Sequence, residues 1–460
     1  MSKGTKTKHT VTGIEKASYG LYFLGQNIFM VLIFKYMNTY FTDVGISAMA
    51  VAAIALVVKV WDAVNDPIFG GLVDKVRFKK GKFVPWLRIS LVGIPVTSIL
   101  MFAIPLSVSP LVKILWASIS YILWDAAYTI CDVPIFGLVT TMTSSQQERT
   151  SLNAIGRVCA SIAGLAVTVI IPVFRTMLGG WTSTVIMLSI VGALTMLPIC
   201  FTAKERLAPS ANEEPDVSLK DMFLYLKTNK YLLIANICFM IIGVTNVSSA
   251  WGMYIARYCL NNESMMAATS MLGMIPCIVL GALIPTFTKK IDKMKLYYGC
   301  LVLSLVMLVV RFFVGYHNVA AYLIATFVSS IPAGITSTIT FMFTPDCAEY
   351  GHYKSGISAP GITFATQTFF TKLQTALVTA FGSFLLGAIG FVEGESAVQA
   401  ANFADKMWNM GLIMPAVGIV IALVALRKYE LNDHDVELMA KVNSGEMPRE
   451  EAEAMMINHY

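Results

Sequence analysis

Apolar runs of about twenty residues recur from Ala17 to Leu426, each long enough to cross the ~30 Å hydrocarbon core of a bilayer as a helix. No water reaches backbone polar groups there, so the runs must satisfy their hydrogen bonds internally and become helices. The expected fold class is an all-α membrane protein with about twelve transmembrane helices. A chain 56% hydrophobic and only 13% charged is far from an ordinary soluble domain. The basic head MSKGTKTKHT leads straight into the first run, so that run is expected to stay in the protein rather than to be cleaved. The eight cysteines lack C-x-x-C spacing, which argues against a zinc site or a disulfide framework. The net charge of +6 lies in the connections between runs, so it does not point to nucleic acid.

Basic residues follow the even-numbered runs: Lys75 to Lys82 after the second, Arg149 after the fourth, Lys204 and Arg206 after the sixth, Lys289 to Lys295 after the eighth, and Arg427 and Lys428 after the twelfth. The positive-inside rule then places both termini in the cytoplasm, with the protein in the cell membrane. One long polar interruption, KERLAPSANEEPDVSLKDMFLYLKTNK, divides the chain. The expected organisation is a six-helix half over residues 1–203, a central loop over 204–231, a second six-helix half over 232–428 and a cytoplasmic tail over 429–460. This resembles the major facilitator architecture. GGLVDKVRFKKGK after the second run and GALIPTFTKKIDKMK after the eighth look like a weak half-repeat, and paired halves imply a ligand site near the midplane.

The polar groups inside the apolar runs carry the functional reading. Asp62 and Asp66 are spaced i and i+4 in WDAVNDPIFG, so they share one helix face, and like charges that close need a cation between them or a proton on one. Pro67 lacks an N–H and frees the Ala63 carbonyl in the same turn. The set suits Na⁺ or H⁺; the structural alternative is pairing with a basic residue in another span. In the fourth run Tyr128, Asp132 and Phe136 form an aromatic, carboxylate, aromatic stripe. A carboxylate accepts from sugar hydroxyls while aromatic faces cover C–H surfaces, and Thr129 has a hydroxyl to lend to the cation. Arg157 and Lys372 lie well inside spans, as charge balance for the aspartates or as substrate contacts.

Those segments, with KGKFVPW, YTICDVP, ERTSLNAIGRVCAS, PDCAEYGHYKSG and QTFFTKL, resemble the glycoside-pentoside-hexuronide:cation symporters, a major facilitator branch that includes the melibiose carrier. The resemblance covers nearly the whole chain. It implies that Asp62, Asn65, Asp66 and Thr129 hold the coupling cation, Na⁺ or H⁺, and that Asp132 bridges cation and sugar. It implies a sugar site lined by Asn27, Tyr128, Phe136, Arg157, Gln367, Thr368 and Lys372, and it gives Arg149, Asp346 and Glu349 a gating role. Span one has Gln26 and Asn27 where the melibiose carrier has lysine and aspartate, a departure that favours glucuronide- or xyloside-like substrates and better tolerance of an anionic sugar.

The expected function is secondary active uptake of a glycoside or sugar acid, driven by Na⁺ or H⁺ and by alternating access, with the sugar and the lipid bilayer as its partners. No cofactor, nucleic acid or obligate protein partner is expected. Enzymatic chemistry is excluded because all five histidines fall in loops or tails and no nucleophile motif appears. A lipid or drug transporter on the same scaffold is the rival reading. The stretch from Glu430 to Tyr460 is polar enough for a cytoplasmic tail with a short helix.

Overall fold

The computed structural model describes residues 11–460 except Arg77, Lys79, Lys80, Ser144, residues 207–224 and Lys289; the side chains of a few helical positions, Asp66 and Pro67 among them, also lie outside the description. Among the described residues, nine helical stretches are long and apolar enough to cross a membrane, and Lys230–Thr245 and Met265–Cys277 are shorter apolar helices. The 28-residue helix that carries Lys59, Asp62 and Asp66 brings the number to twelve. The described residues are helical or irregular apart from one isolated bridge between Phe78 and Gly81.

The chain divides into two compact units. The first comprises Met1–Glu213 together with Phe391–Gln399. Its helices are α1 (Gly13–Asp43), α2 (Ala48–Lys75), α3 (Val84–Met101), α4 (Pro110–Met142), α5 (Gln146–Met177), α6 (Trp181–Met196) and the single turn α7 (Ile199–Thr202). Thr12 and Glu15 close a capping box at the start of α1, which satisfies backbone donors that the first turn leaves free. Helix α1 packs on α5 and α6, α3 on α4 and α6, and α2 on α4. Backbone approach sets the α1–α6 contact. A Cβ on Gly25 would lie 2.6 Å from the Gly192 carbonyl oxygen, and one on Gly192 would lie 2.5 Å from the Phe29 ring. Small residues replace the hydrophobic effect as the driving force here, because lipid is as apolar as the helix surface.

The basic turn after α2 is organised by one carboxylate. Glu205 accepts from the N–H groups of Lys82, Phe83 and Val84 at 2.7, 2.8 and 2.9 Å, and so caps α3 where no side chain of its own does. Gly81 has φ +114°, and a Cβ there would sit 2.6 Å from Glu205. Arg206 pairs with Glu15 at 2.9 Å and its N–H donates to the Thr141 carbonyl at 2.8 Å, so the beginning of the expected central loop is tied to this unit. At the other end of α1, Arg175 binds Asp43 at 3.2 Å and Glu395 at 3.1 Å and stacks over Trp181, whose indole also donates to Asp43. The Gly394 and Glu395 N–H groups add bonds to the Thr42 and Asp43 carbonyls.

The second unit comprises Glu214–Gly390 and Ala400–Tyr460. Its helices are α8 (Lys230–Thr245), α9 (Met265–Thr288), α10 (Lys293–Val314), α11 (Val319–Thr340), α12 (Phe343–Ser355), α13 (Pro360–Ala388), α14 (Phe403–Ala425), α15 (Asp433–Asn443) and α16 (Arg449–Met455). The seventh apolar run is broken: α8 stops at Thr245, a 3-10 turn covers Val247–Ser249, and a π-helical turn covers Ile255–Cys259. The Thr245 hydroxyl occupies the space above Gly418, the close approach between α8 and α14. The tail forms two short helices instead of one. Buried Asp435 anchors it, accepting from the Ile457 and Asn458 N–H groups, the Asn432 amide and the Tyr460 hydroxyl.

Candidate substrate and cation site

In the first unit the polar groups of α1, α2 and α4 meet in one layer. The Gln26 amide of α1 donates to Asp132 of α4 at 2.8 Å. One α4 turn away, the Asn65 amide of α2 donates to Thr129 at 2.9 Å and to Asp125 at 3.4 Å, and Asn65 is fully buried. Both amide oxygens, Gln26 Oε1 and Asn65 Oδ1, are buried without a hydrogen-bond partner among the described residues. An unsatisfied buried acceptor costs about 1–3 kcal/mol. Each lies on a side chain bonded to an α4 carboxylate, Gln26 to Asp132 and Asn65 to Asp125, and an oxygen there is a hard donor of the kind a small cation takes.

Asp62 stands differently from the expectation. Its Oδ2 pairs with Lys59 Nζ at 3.2 Å on its own helix. A base in the same helix, rather than in another span, balances this aspartate. Asp66 is placed on α2, but its side chain and Pro67 lie outside the described residues.

The aromatic stripe on α4 is present. Tyr128 stacks on Trp124 with centroids 5.0 Å apart and planes at 24°. Phe136 is 52% exposed and meets the buried Phe23 of α1 edge to face at 5.5 Å; Phe23 in turn touches Tyr19. An exposed ring one turn from the half-buried Asp132 carboxylate is placed to cover one face of a sugar. Asn27 turns its amide back to the Phe23 carbonyl at 2.8 Å, so Gln26 rather than Asn27 meets Asp132. Arg157 is exposed. Arg149 binds the Thr143 and Thr140 carbonyls at 2.9 and 3.3 Å, satisfying acceptors at the C-terminal end of α4.

In the second unit, Thr368 and Lys372 share an exposed face of α13, while Gln367, one residue and about 100° round the helix, is buried with 9% exposure. Asp346 pairs with Lys293 at 2.6 Å, and Lys293 also reaches Asp433 at 3.3 Å. Glu349 accepts from Asn443 at 2.8 Å. Both acids expected to gate are thus bound to α10 or to the tail of their own unit.

Sequence reasoning named Gln26 only as a departure in span one, giving it no site role, and passed over Lys59, Trp124 and Asp125. The signal for Lys59 was its i,i+3 spacing to Asp62, and for Asp125 its i,i+4 spacing to Thr129 and i,i+7 spacing to Asp132 on one α4 face.

Comparison with known proteins places these observations in a family. The model described as MFS/sugar transport protein matches residues 18–433. The chain is 27% identical over 442 residues to the uncharacterized symporter YnaJ of Bacillus subtilis, covering 94% of each chain. It is 25% identical over 445 residues to the isoprimeverose transporter of Lactiplantibacillus pentosus, covering 94% of this chain and 92% of that one. The crystal structure of the nucleoside transporter NupG superposes with a TM-score of 0.65 at 13% identity, covering 91% of this chain and all of that one, which shows the shared fold. With matched family, major facilitator fold and the apolar spanning helices of the described residues in agreement, the chain belongs to the MFS/sugar transport protein family and is a multi-pass membrane transporter of sugars rather than an enzyme.

Proposed function

We propose that the protein is a cation-coupled symporter that brings a glycoside or sugar acid into the cell by alternating access, with both termini in the cytoplasm. The observation that carries this reading is that α4 carries two polar contacts from neighbouring helices, Gln26 on Asp132 and Asn65 on Thr129 and Asp125, and that each amide keeps a buried oxygen without a partner among the described residues. The coupling ion, Na⁺ or H⁺, enters at Asn65, Thr129 and the neighbouring aspartates, including Asp66. Sugar hydroxyls then bond Asp132 while Phe136 and Tyr128 cover the C–H surfaces. Cation and sugar share Asp132, so each stabilises the binding of the other. One charge crossing ~100 mV supplies about 2.3 kcal/mol, and each tenfold cation gradient adds about 1.4. The test is uptake of labelled neutral and uronic glycosides into proteoliposomes with imposed Na⁺ or pH gradients. Concentrative, saturable uptake driven by one gradient supports the reading; uptake that ignores both rejects it.

A further inference from the structure

In the second unit, the last turns of α10 present an apolar surface and one cation. Val306, Val309, Val310, Phe312 and Phe313 are exposed, as side chains of a spanning helix are where they meet acyl chains. Arg311 lies among them, four residues and about 6 Å from the Gly315 cap of the helix. Lys293, at the other end of α10, is joined to the tail through Asp433, so Arg311 belongs to the membrane face remote from the tail.

Packing holds this guanidinium without neutralising it. Its carbon lies 5.4 Å from the Trp408 ring centroid of α14 and 5.9 Å from that of Tyr322 on α11, and the two rings are 5.7 Å apart. Both aromatic side chains are buried. Their faces attract a cation through the ring quadrupole but supply no counter-charge. Among the described residues, Arg311 forms no hydrogen bond and no ion pair; its Nε is buried without a partner, while the residue as a whole stays partly exposed. Asp405, one turn before Trp408 on α14, takes the Tyr316 hydroxyl at 2.6 Å and makes no ion pair with Arg311. The Trp408 indole N–H is a second buried donor without an acceptor among the described residues.

A guanidinium at the edge of hydrocarbon is costly unless it meets an anion. Where a spanning helix ends among tyrosine and tryptophan, the bilayer itself offers one kind of anion, the lipid phosphate. The planar donor fork of arginine matches two phosphate oxygens, and the exposed valines and phenylalanines beside it match acyl chains.

We propose that Arg311, held between Trp408 and Tyr322, binds the phosphate of an anionic phospholipid whose acyl chains lie along the apolar face of α10. The lipid neutralises the arginine and fastens α10, α11 and α14 at their ends remote from the tail.

The test uses the full chain, purified in detergent and depleted of lipid, and follows three probes by native mass spectrometry and thermal unfolding. They are dioleoyl phosphatidylglycerol, dioleoylglycerol, which has the same tails and no phosphate, and inorganic phosphate. Phosphatidylglycerol should bind the wild type and raise its melting temperature, and the other two should do neither. Losing a charge-assisted, two-bond contact is expected to weaken phosphatidylglycerol about tenfold in Arg311→Gln, and Arg311→Lys, which keeps the charge but not the fork, should lose less. A photoactivatable phosphatidylglycerol, with its diazirine near the head of one acyl chain, supplies a readout in the wild type that depends on no variant folding. It should label residues 306–314, and competition by phosphatidylglycerol, but not by dioleoylglycerol, should remove the label. Equal affinity for phosphatidylglycerol in the wild type and Arg311→Gln, or labelling that avoids α10, rejects the site. Dioleoylglycerol that stabilises as well as phosphatidylglycerol overturns the role of the phosphate, and inorganic phosphate that does so overturns the lipid as its source.

Discussion

Gln26 of α1 and Asp132 of α4, 106 residues apart in sequence, join their side chains at 2.8 Å. The amide neutralises no charge; it donates to one carboxylate oxygen and so fixes the carboxylate's direction. Gln26→Leu should weaken sugar binding by about 1–3 kcal/mol, because the half-buried Asp132 carboxylate loses that donor and its fixed direction. Gln26→Glu should instead place two carboxylates in contact, so that one holds a proton and binding gains a dependence on acid pH. Calorimetric titration of purified protein across pH separates the two, and unchanged affinity in both variants rejects the role assigned to Gln26.

Glu205 should be a stability residue. It satisfies three N–H groups at the start of α3, so Glu205→Ala is expected to cost about 2 kcal/mol, more than an ordinary N-cap because three donors lose their acceptor. Gly81→Ala should be destabilising as well, because its positive φ and the approach of Glu205 both exclude a side chain. Thermal unfolding in detergent reads both, and melting temperatures equal to the wild type's would refute the cap.

Arg175 should hold the Phe391–Gln399 segment on its unit. Its side chain and that of Asp43 are 11% and 3% exposed, so removing the arginine leaves a buried carboxylate and should cost about 3–5 kcal/mol. Arg175→Ala should release the segment to limited proteolysis at Glu393 or Glu395, whereas resistance equal to the wild type's would show that the backbone bonds from Gly394 and Glu395 suffice.

The tail should loosen in acid. Burial alone would raise the Asp435 pKa, but the hydrogen bonds from Ile457, Tyr460, Asn432 and His434 outweigh it and hold the carboxyl below the ordinary aspartate value. A depressed folded pKa stabilises docking in full above the unfolded pKa and loses that contribution as pH falls through the folded one. Hydrogen exchange of the 456–460 amides should therefore be flat from neutral pH to about pH 4, after correction for intrinsic rates, and protection should fall below that. Asp435→Asn should abolish the step; a step that persists in the variant assigns it to another group.

Helix number and the chemical character of α2 and α4 were legible because apolar run length and i,i+4 spacing are local properties. Helix phase against neighbouring helices was not. Gln26 and Asn27 are one residue apart, and only packing of α1 on α5 and α6 turns the first toward Asp132 and the second back on its own backbone. The same phase difference separates Gln367 from Thr368 on α13. The break after Thr245 falls at Asn246, Ser248 and Ser249, a polar signal masked by the apolar residues on both sides, and a lysine three residues before an aspartate is easily read as one more solvated pair until burial is known.

The most direct test of coupling through the α1–α2–α4 layer is the substrate accumulation ratio in proteoliposomes, measured while Na⁺ and pH gradients are imposed and dissipated independently, in the wild type, Asp132→Asn and Asn65→Ala. The account predicts a wild-type ratio that rises with one of the two gradients and returns to one when it is dissipated. It predicts no accumulation by Asp132→Asn, and for Asn65→Ala a shift to higher cation concentration for half-maximal uptake. Accumulation by Asp132→Asn that still follows the cation gradient would contradict it.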